Sequence, residues 1–231
     1  MRALISLVSA CFVLVTHTAA AQQNVSPPTQ GTLSQDHISA ARETLSALLL
    51  DSGFLSAISL EAFHRGTPFL RSRISDWPFY GSLSPEKRRA LAAYVDGFPP
   101  MGQAEAIRGA SELIDRFAPQ VAALFSESEL HDISAYVHTP EARGFMLRAG
   151  LDGVHGEPSG SNEASETEVA AWIRFSQTPG GAAMIERLPQ FGAMMSDIGA
   201  ASTGSPRVSA RMQHDFCAIL AEQCPAPWRT H

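Results

Sequence analysis

Ser126-Glu-Ser-Glu-Leu-His-Asp-Ile-Ser-Ala-Tyr-Val-His-Thr-Pro140 and Ser165-Glu-Thr-Glu-Val-Ala-Ala-Trp-Ile-Arg-Phe-Ser-Gln-Thr-Pro179 carry the same grammar at an offset of 39 positions. Each opens with Ser-x-x-Glu, a capping box in which the serine oxygen accepts from the backbone N–H three residues on and the glutamate reaches back to the cap. The apolar residues that follow are spaced for a helix of about three turns. Leu130, Ile133 and Val137 share one face of the first helix. Val169, Trp172 and Ser176 hold the matching places in the second, with Tyr136 and Phe175 beside the two stripes. Each segment ends in Thr-Pro, where proline stops the incoming helix and, with threonine as cap, starts the next. The unit predicted is helix, corner, helix.

Outward from these segments the pattern stays helical. Ile38, Ala41, Leu45, Leu48 and Leu49 lie on one face of a helix opened by Ser34, and Phe54, Leu55, Ile58 and Phe63 continue after Gly53. No stretch of any length alternates with period two, so no strand is expected. The fold class is all-α: a single helical domain over 33–231 built on repeated units near 84–118, 126–150 and 165–200. The first of these is suggested by Ser84 and by Ala93-Tyr94-Val95, and it lacks both the glutamate and the Thr-Pro. Gly150 to Ala164 and residues 202–206 read as connections by composition, and a final helix is expected from about Arg207 to Gln223.

Residues 1–21 combine a basic start, an apolar run from Ala3 to Val15 and Ala19-Ala20-Ala21, the anatomy of an export signal cleaved after Ala21. A lipoprotein modified at Cys11 is the minor alternative. The run falls short of the ~20 residues that span a bilayer, and no later stretch lacks charge for that long, so no membrane span is expected. Residues 22–32 are polar and carry prolines, the composition of a disordered lead. Arg2 leaves with the signal, so 16 basic residues face 23 acidic ones and the formal charge becomes −7. That surface argues against nucleic acid and anionic membrane as partners. Cys217 and Cys224 remain, and in an oxidising compartment they are expected to form a disulfide. His214 lies three residues before Cys217, but the set lacks a fourth ligand, so neither a metal nor a cofactor is implied.

Phe125-Ser-Glu-Ser-Glu-Leu130, Ala135-Tyr-Val-His-Thr-Pro-Glu-Ala-Arg143 and the matching stretch over 165–190 resemble the bacterial exported family catalogued as domain of unknown function 2059. The resemblance covers roughly residues 80–195. It implies an all-helical exported protein, and it transfers no catalytic residue because the family has no agreed activity.

Residue patterns that could carry chemistry have simpler explanations. Ser84-Pro-Glu-Lys87 matches the Ser-x-x-Lys of penicillin-interacting enzymes, yet Lys87 is the only lysine and no Lys-Thr-Gly follows; a helix cap accounts for it. His131 and His138 are two turns apart, whereas zinc proteases space their histidines by four. Trp172, Phe175, Met184, Phe191, Met194 and Met195 form an aromatic and methionine stripe that reads as core or as the lining of a ligand groove. The expected function is a binding or assembly module of the cell envelope, acting on an envelope protein through such a groove. The alternative is an enzyme or ligand-binding protein acting on an envelope polymer or a small molecule, with Glu129 or Glu168 as candidate acids.

Overall fold

A computed structural model describes residues 33–155 and 164–228. The stretch expected to be an export signal over 1–21 with Cys11, the expected lead over 22–32 and most of the glycine-containing connection before Ala164 lie outside the described residues. The helices are α1 (Gln35–Ser46), α2 (Phe54–Ser75), α3 (Pro85–Arg108), α4 (Ala110–Leu124), α5 (Glu127–Val137), α6 (Pro140–His155), α7 (Glu166–Ser176), α8 (Pro179–Glu186), α9 (Leu188–Thr203) and α10 (Pro206–Leu220). No strand occurs among the described residues, and no single helix there is long and apolar enough to cross a membrane.

The residues sort into two compact units, each assembled from two chain segments. One holds the residues up to Phe54 together with Ser111–Ile198; the other holds Leu55–Ala110 and the chain from Gly199 on. No proline- or glycine-rich linker marks these boundaries, and one of them falls inside α9, which is why composition gives no sign of them.

The first unit is built around α5. Helix α1 packs along it, and the Thr44 hydroxyl donates to the carbonyls of Ala40 and, across the helix pair, Leu130 at 3.2 Å. The α1 chain continues as a π-helical turn over Ala47–Asp51. It then breaks at Gly53, whose φ of +75° belongs to the left-handed region that glycine enters without strain. Leu45, Leu49, Phe125, Leu130 and Ile133 are fully buried here.

In the second unit α10 packs against α3, and Ile74, Leu83, Leu91, Val95, Phe216 and Leu220 form the core. Trp77 meets Phe216 edge-on at 5.5 Å and Trp228 at the same distance. The segment proposed as a third repeat, 84–118, lies in this unit only as far as Ala110, and where the other two segments turn at Thr-Pro, α3 runs unbroken through Pro99 and Pro100. Without a Thr-Pro step nothing supplies a cap for a new helix. Ser84 caps α3, and the Lys87 ammonium donates to the Leu220 carbonyl at 2.8 Å and to Gln223 Oε1 at 2.9 Å. A cation at that position also matches the negative end of the α10 dipole.

The expected disulfide is present. Cys217 and Cys224 are bonded with their Cα atoms 4.9 Å apart, which fastens the end of α10 to the residues that follow. Closing so short a loop stabilises by about 2 to 3 kcal/mol in the chain-entropy model. Thiol titration of the oxidised mature chain should detect no free thiol, and reduction should lower the free energy of unfolding by about that amount; two titratable thiols before reduction would contradict the bond.

Candidate binding groove

Both capping boxes form as the sequence requires. The Ser126 hydroxyl accepts from the Glu129 N–H while the Glu129 carboxylate accepts from the Ser126 N–H at 2.6 Å; Ser165 and Glu168 repeat the arrangement with 2.7 Å for the return bond. Both corners form as well. Thr139 and Thr178 donate to the carbonyls of Tyr136 and Phe175, each at 2.8 Å. Their hydroxyls accept from the Ala142 and Gly181 N–H groups.

The two segments pack reciprocally. The opening helix of the first, α5, lies against the closing helix of the second, α8, while α6 lies against α7. The charges follow the same pattern. Glu129 pairs with Arg187 at 3.0 Å, and Glu168 pairs with Arg148. Arg148 and Arg187 are themselves 39 positions apart, so each capping glutamate is held by the arginine of the other segment. Tyr136 and Phe175, also 39 apart, stack face to face with centroids 4.2 Å apart and planes within 6°.

The α5–α8 crossing depends on Gly180, and the tight corner from α7 into α8 depends on Gly181. The Gly180 N–H donates to Asp132 Oδ2 at 3.0 Å. A Cβ on Gly180 would sit 2.5 Å from the Glu129 carbonyl oxygen, and one on Gly181 would sit 1.9 Å from that of Phe175. Both obstacles are backbone, so no rotamer change relieves them.

Between the reciprocally packed helices lies an apolar groove of about 90 Å³ with no polar atom in its accessible wall. Its lining includes both members of four offset pairs: Ile133 with Trp172, Tyr136 with Phe175, Phe145 with Met184, and Ala149 with Leu188. Leu48 and Phe54 line it from the helices before α5, and Phe191 and Met195 from α9. Of the residues expected from sequence, Trp172, Phe175, Met184, Phe191 and Met195 line this groove. Met194 does not; it is buried elsewhere on α9, and its neighbour Met195 faces the space. Tyr136, Phe145 and Ala149 were not anticipated as lining, nor Arg148 and Arg187 as partners of the glutamates. Ala149 with Leu188 and Arg148 with Arg187 carried a signal, since both pairs keep the 39-residue offset beyond the two corner prolines.

Electrostatics around the groove are set by those ion pairs. Burial works to raise the Glu129 carboxyl, but the Ser126 N–H and the Arg187 guanidinium outweigh it and hold the group below the ordinary glutamate range. Glu168 is held down chiefly by the Arg148 guanidinium, against its burial, with help from Ser165. The Tyr136 hydroxyl is pushed up to about 12 by burial and by the negative charges of Glu168 and Glu141. A glutamate serving as general acid needs its pKa raised toward neutrality, the opposite of both shifts. His138 is engaged by the Ser134 carbonyl at 2.7 Å and lies 3.6 Å from Asp51. His131 is exposed on α5. Among the described residues no group of three or more His, Cys, Asp or Glu side chains is placed to hold a metal.

Compared with known proteins, the chain matches no family model, no curated protein and no solved structure.

Gly181→Ala should destabilise the protein by about 3 kcal/mol, the upper end of overpacking costs, as measured by denaturant unfolding; a change under about 1 kcal/mol would contradict the close approach. The pH dependence has a fixed sign. Both folded-state glutamate pKa values lie below the unfolded value of about 4.3, so their contribution is complete above that pH and disappears as the pH falls through the folded values. The melting temperature should therefore drop on acidification below about pH 4.3. Glu129→Gln with Glu168→Gln should flatten that limb and cost about 1 kcal/mol per site at neutral pH. An acid limb of unchanged steepness in the double variant would assign it to other groups.

Proposed function

We propose that this protein is an exported, periplasmic binding or assembly module of the cell envelope and that the groove beside Trp172 is its contact site. The observation that carries the reading is a preformed, wholly apolar recess of about 90 Å³ in the acidic protein. Apolar recesses rimmed by polar surface are where partners dock. The glutamates that an enzyme reading would use are already engaged by capping bonds and arginines, which favours binding over catalysis. The Cys217–Cys224 bond is compatible with an oxidising compartment. The motif residues at 125–143 and 165–190 support membership of the exported family named above. We also read the two segments as copies of one helix-corner-helix unit, a reading supported by the reciprocal pairing of Glu129 with Arg187 and Glu168 with Arg148.

The test is site-specific photo-cross-linking in living cells. A photoreactive residue replacing Trp172 should give a discrete adduct with an envelope component that is absent with the same residue at Gln120, an exposed position on α4. It should also disappear when Ala149→Leu fills the groove. Equal labelling from both positions would remove the groove as the contact site.

A further inference from the structure

We propose that the groove accepts one apolar side chain carried by a basic segment of a partner protein. The inference rests on the groove being the binding site and concerns what enters it.

Size is the first constraint. At about 90 Å³ the space is smaller than the cavity of about 150 Å³ that holds a single benzene ring. It accommodates one compact group such as a leucine or methionine side chain, and the hydrocarbon chain of a lipid exceeds that volume. Chemistry is the second. With no polar atom in the wall, a carboxylate, hydroxyl or headgroup entering the recess would lose its hydration and find no partner, a penalty of about 2 kcal/mol or more for each neutral polar group. The occupant is therefore apolar to its tip.

The wall itself suits a side-chain anchor. Met146, Met184 and Met195 contribute thioether chains that adjust to an incoming shape, and Tyr136, Trp172 and Phe175 supply rigid flat surfaces. The rings are too closely packed against one another to form a cage for a cation: Trp172 has centroids of Phe175 at 5.6 Å and of Phe145 at 6.0 Å.

Charge fixes the flank of that segment. Glu141 lies one turn before Phe145 and two before Ala149 on α6, and both of those residues line the groove. Arg148 balances Glu168, while Glu141 makes no ion pair among the described residues. A lysine or arginine near the anchor meets Glu141, and the mature chain's excess of acidic residues steers such a segment inward.

The depth of the recess is set by Ala149, whose counterpart at the 39-residue offset is Leu188. Leucine at 149 places three more carbon atoms in the space. The experiment is calorimetric titration of the mature chain and its Ala149→Leu variant with three probes: a 14-residue amphipathic leucine–lysine peptide, its leucine–glutamate counterpart, and dodecanoate. The leucine–lysine peptide should bind the native chain, lose about tenfold or more in affinity to Ala149→Leu, and bind several-fold more weakly to Glu141→Gln. A second measurement needs no protein variant: replacing the central leucine of the peptide with alanine should weaken binding about tenfold. Dodecanoate binding that Ala149→Leu abolishes, without peptide binding, overturns this inference and keeps the groove as a site. Equal affinity for the glutamate peptide overturns the basic flank. Peptide affinity indifferent to both Ala149→Leu and the central alanine, or no binding by any probe, overturns the groove itself.

Discussion

The capping glutamates are the constraint on which the first unit depends. Each does two jobs: it closes the start of its own helix and it anchors an arginine from the other segment. Because these bonds are charge-assisted and lie in partly buried surroundings, they are stronger than exposed pairs and their loss leaves a charge poorly solvated. One carboxylate thus couples local helix formation to the packing of α5 on α8, or of α6 on α7. The helix start and the tertiary arrangement cannot be perturbed separately.

The groove follows from how imperfectly the two segments match. Where the side chains are close in shape, as with Tyr136 against Phe175, they stack and fill the space between the helices. Where they differ in volume, as with Ala149 and Leu188, part of the space stays empty. Gly180 brings the backbones of α5 and α8 together on one side, while its counterpart Glu141 lacks that option on the other.

The second unit uses different means. Its core is stapled by a disulfide, closed by a cluster of aromatic rings, and finished by the one lysine of the chain donating to the end of α10. The Ser-x-x-Lys spacing at 84–87 is accounted for in full by these capping duties. Tyr94 illustrates the same theme: burial, and then the nearby Asp215 carboxylate, push its hydroxyl well above the ordinary tyrosine range, and the group serves packing.

What the sequence determined by itself was local. Capping boxes, Thr-Pro corners and 3.6-residue periodicity involve residues three or four apart, so helix starts and stops at 126–140 and 165–179 could be read directly, as could the short-range disulfide. The 39-residue offset also contained the Arg148–Arg187 and Ala149–Leu188 correspondences. Tertiary structure alone decided that each arginine crosses to the opposite segment, since an offset specifies equivalence and says nothing of which helices meet. It decided that Met195 faces the groove and Met194 does not, because one residue turns a helix by about 100° and only the neighbours define which face is inward. It also decided the division into two units, which depends on contacts between segments far apart in the chain, where no local residue pattern marks the boundary.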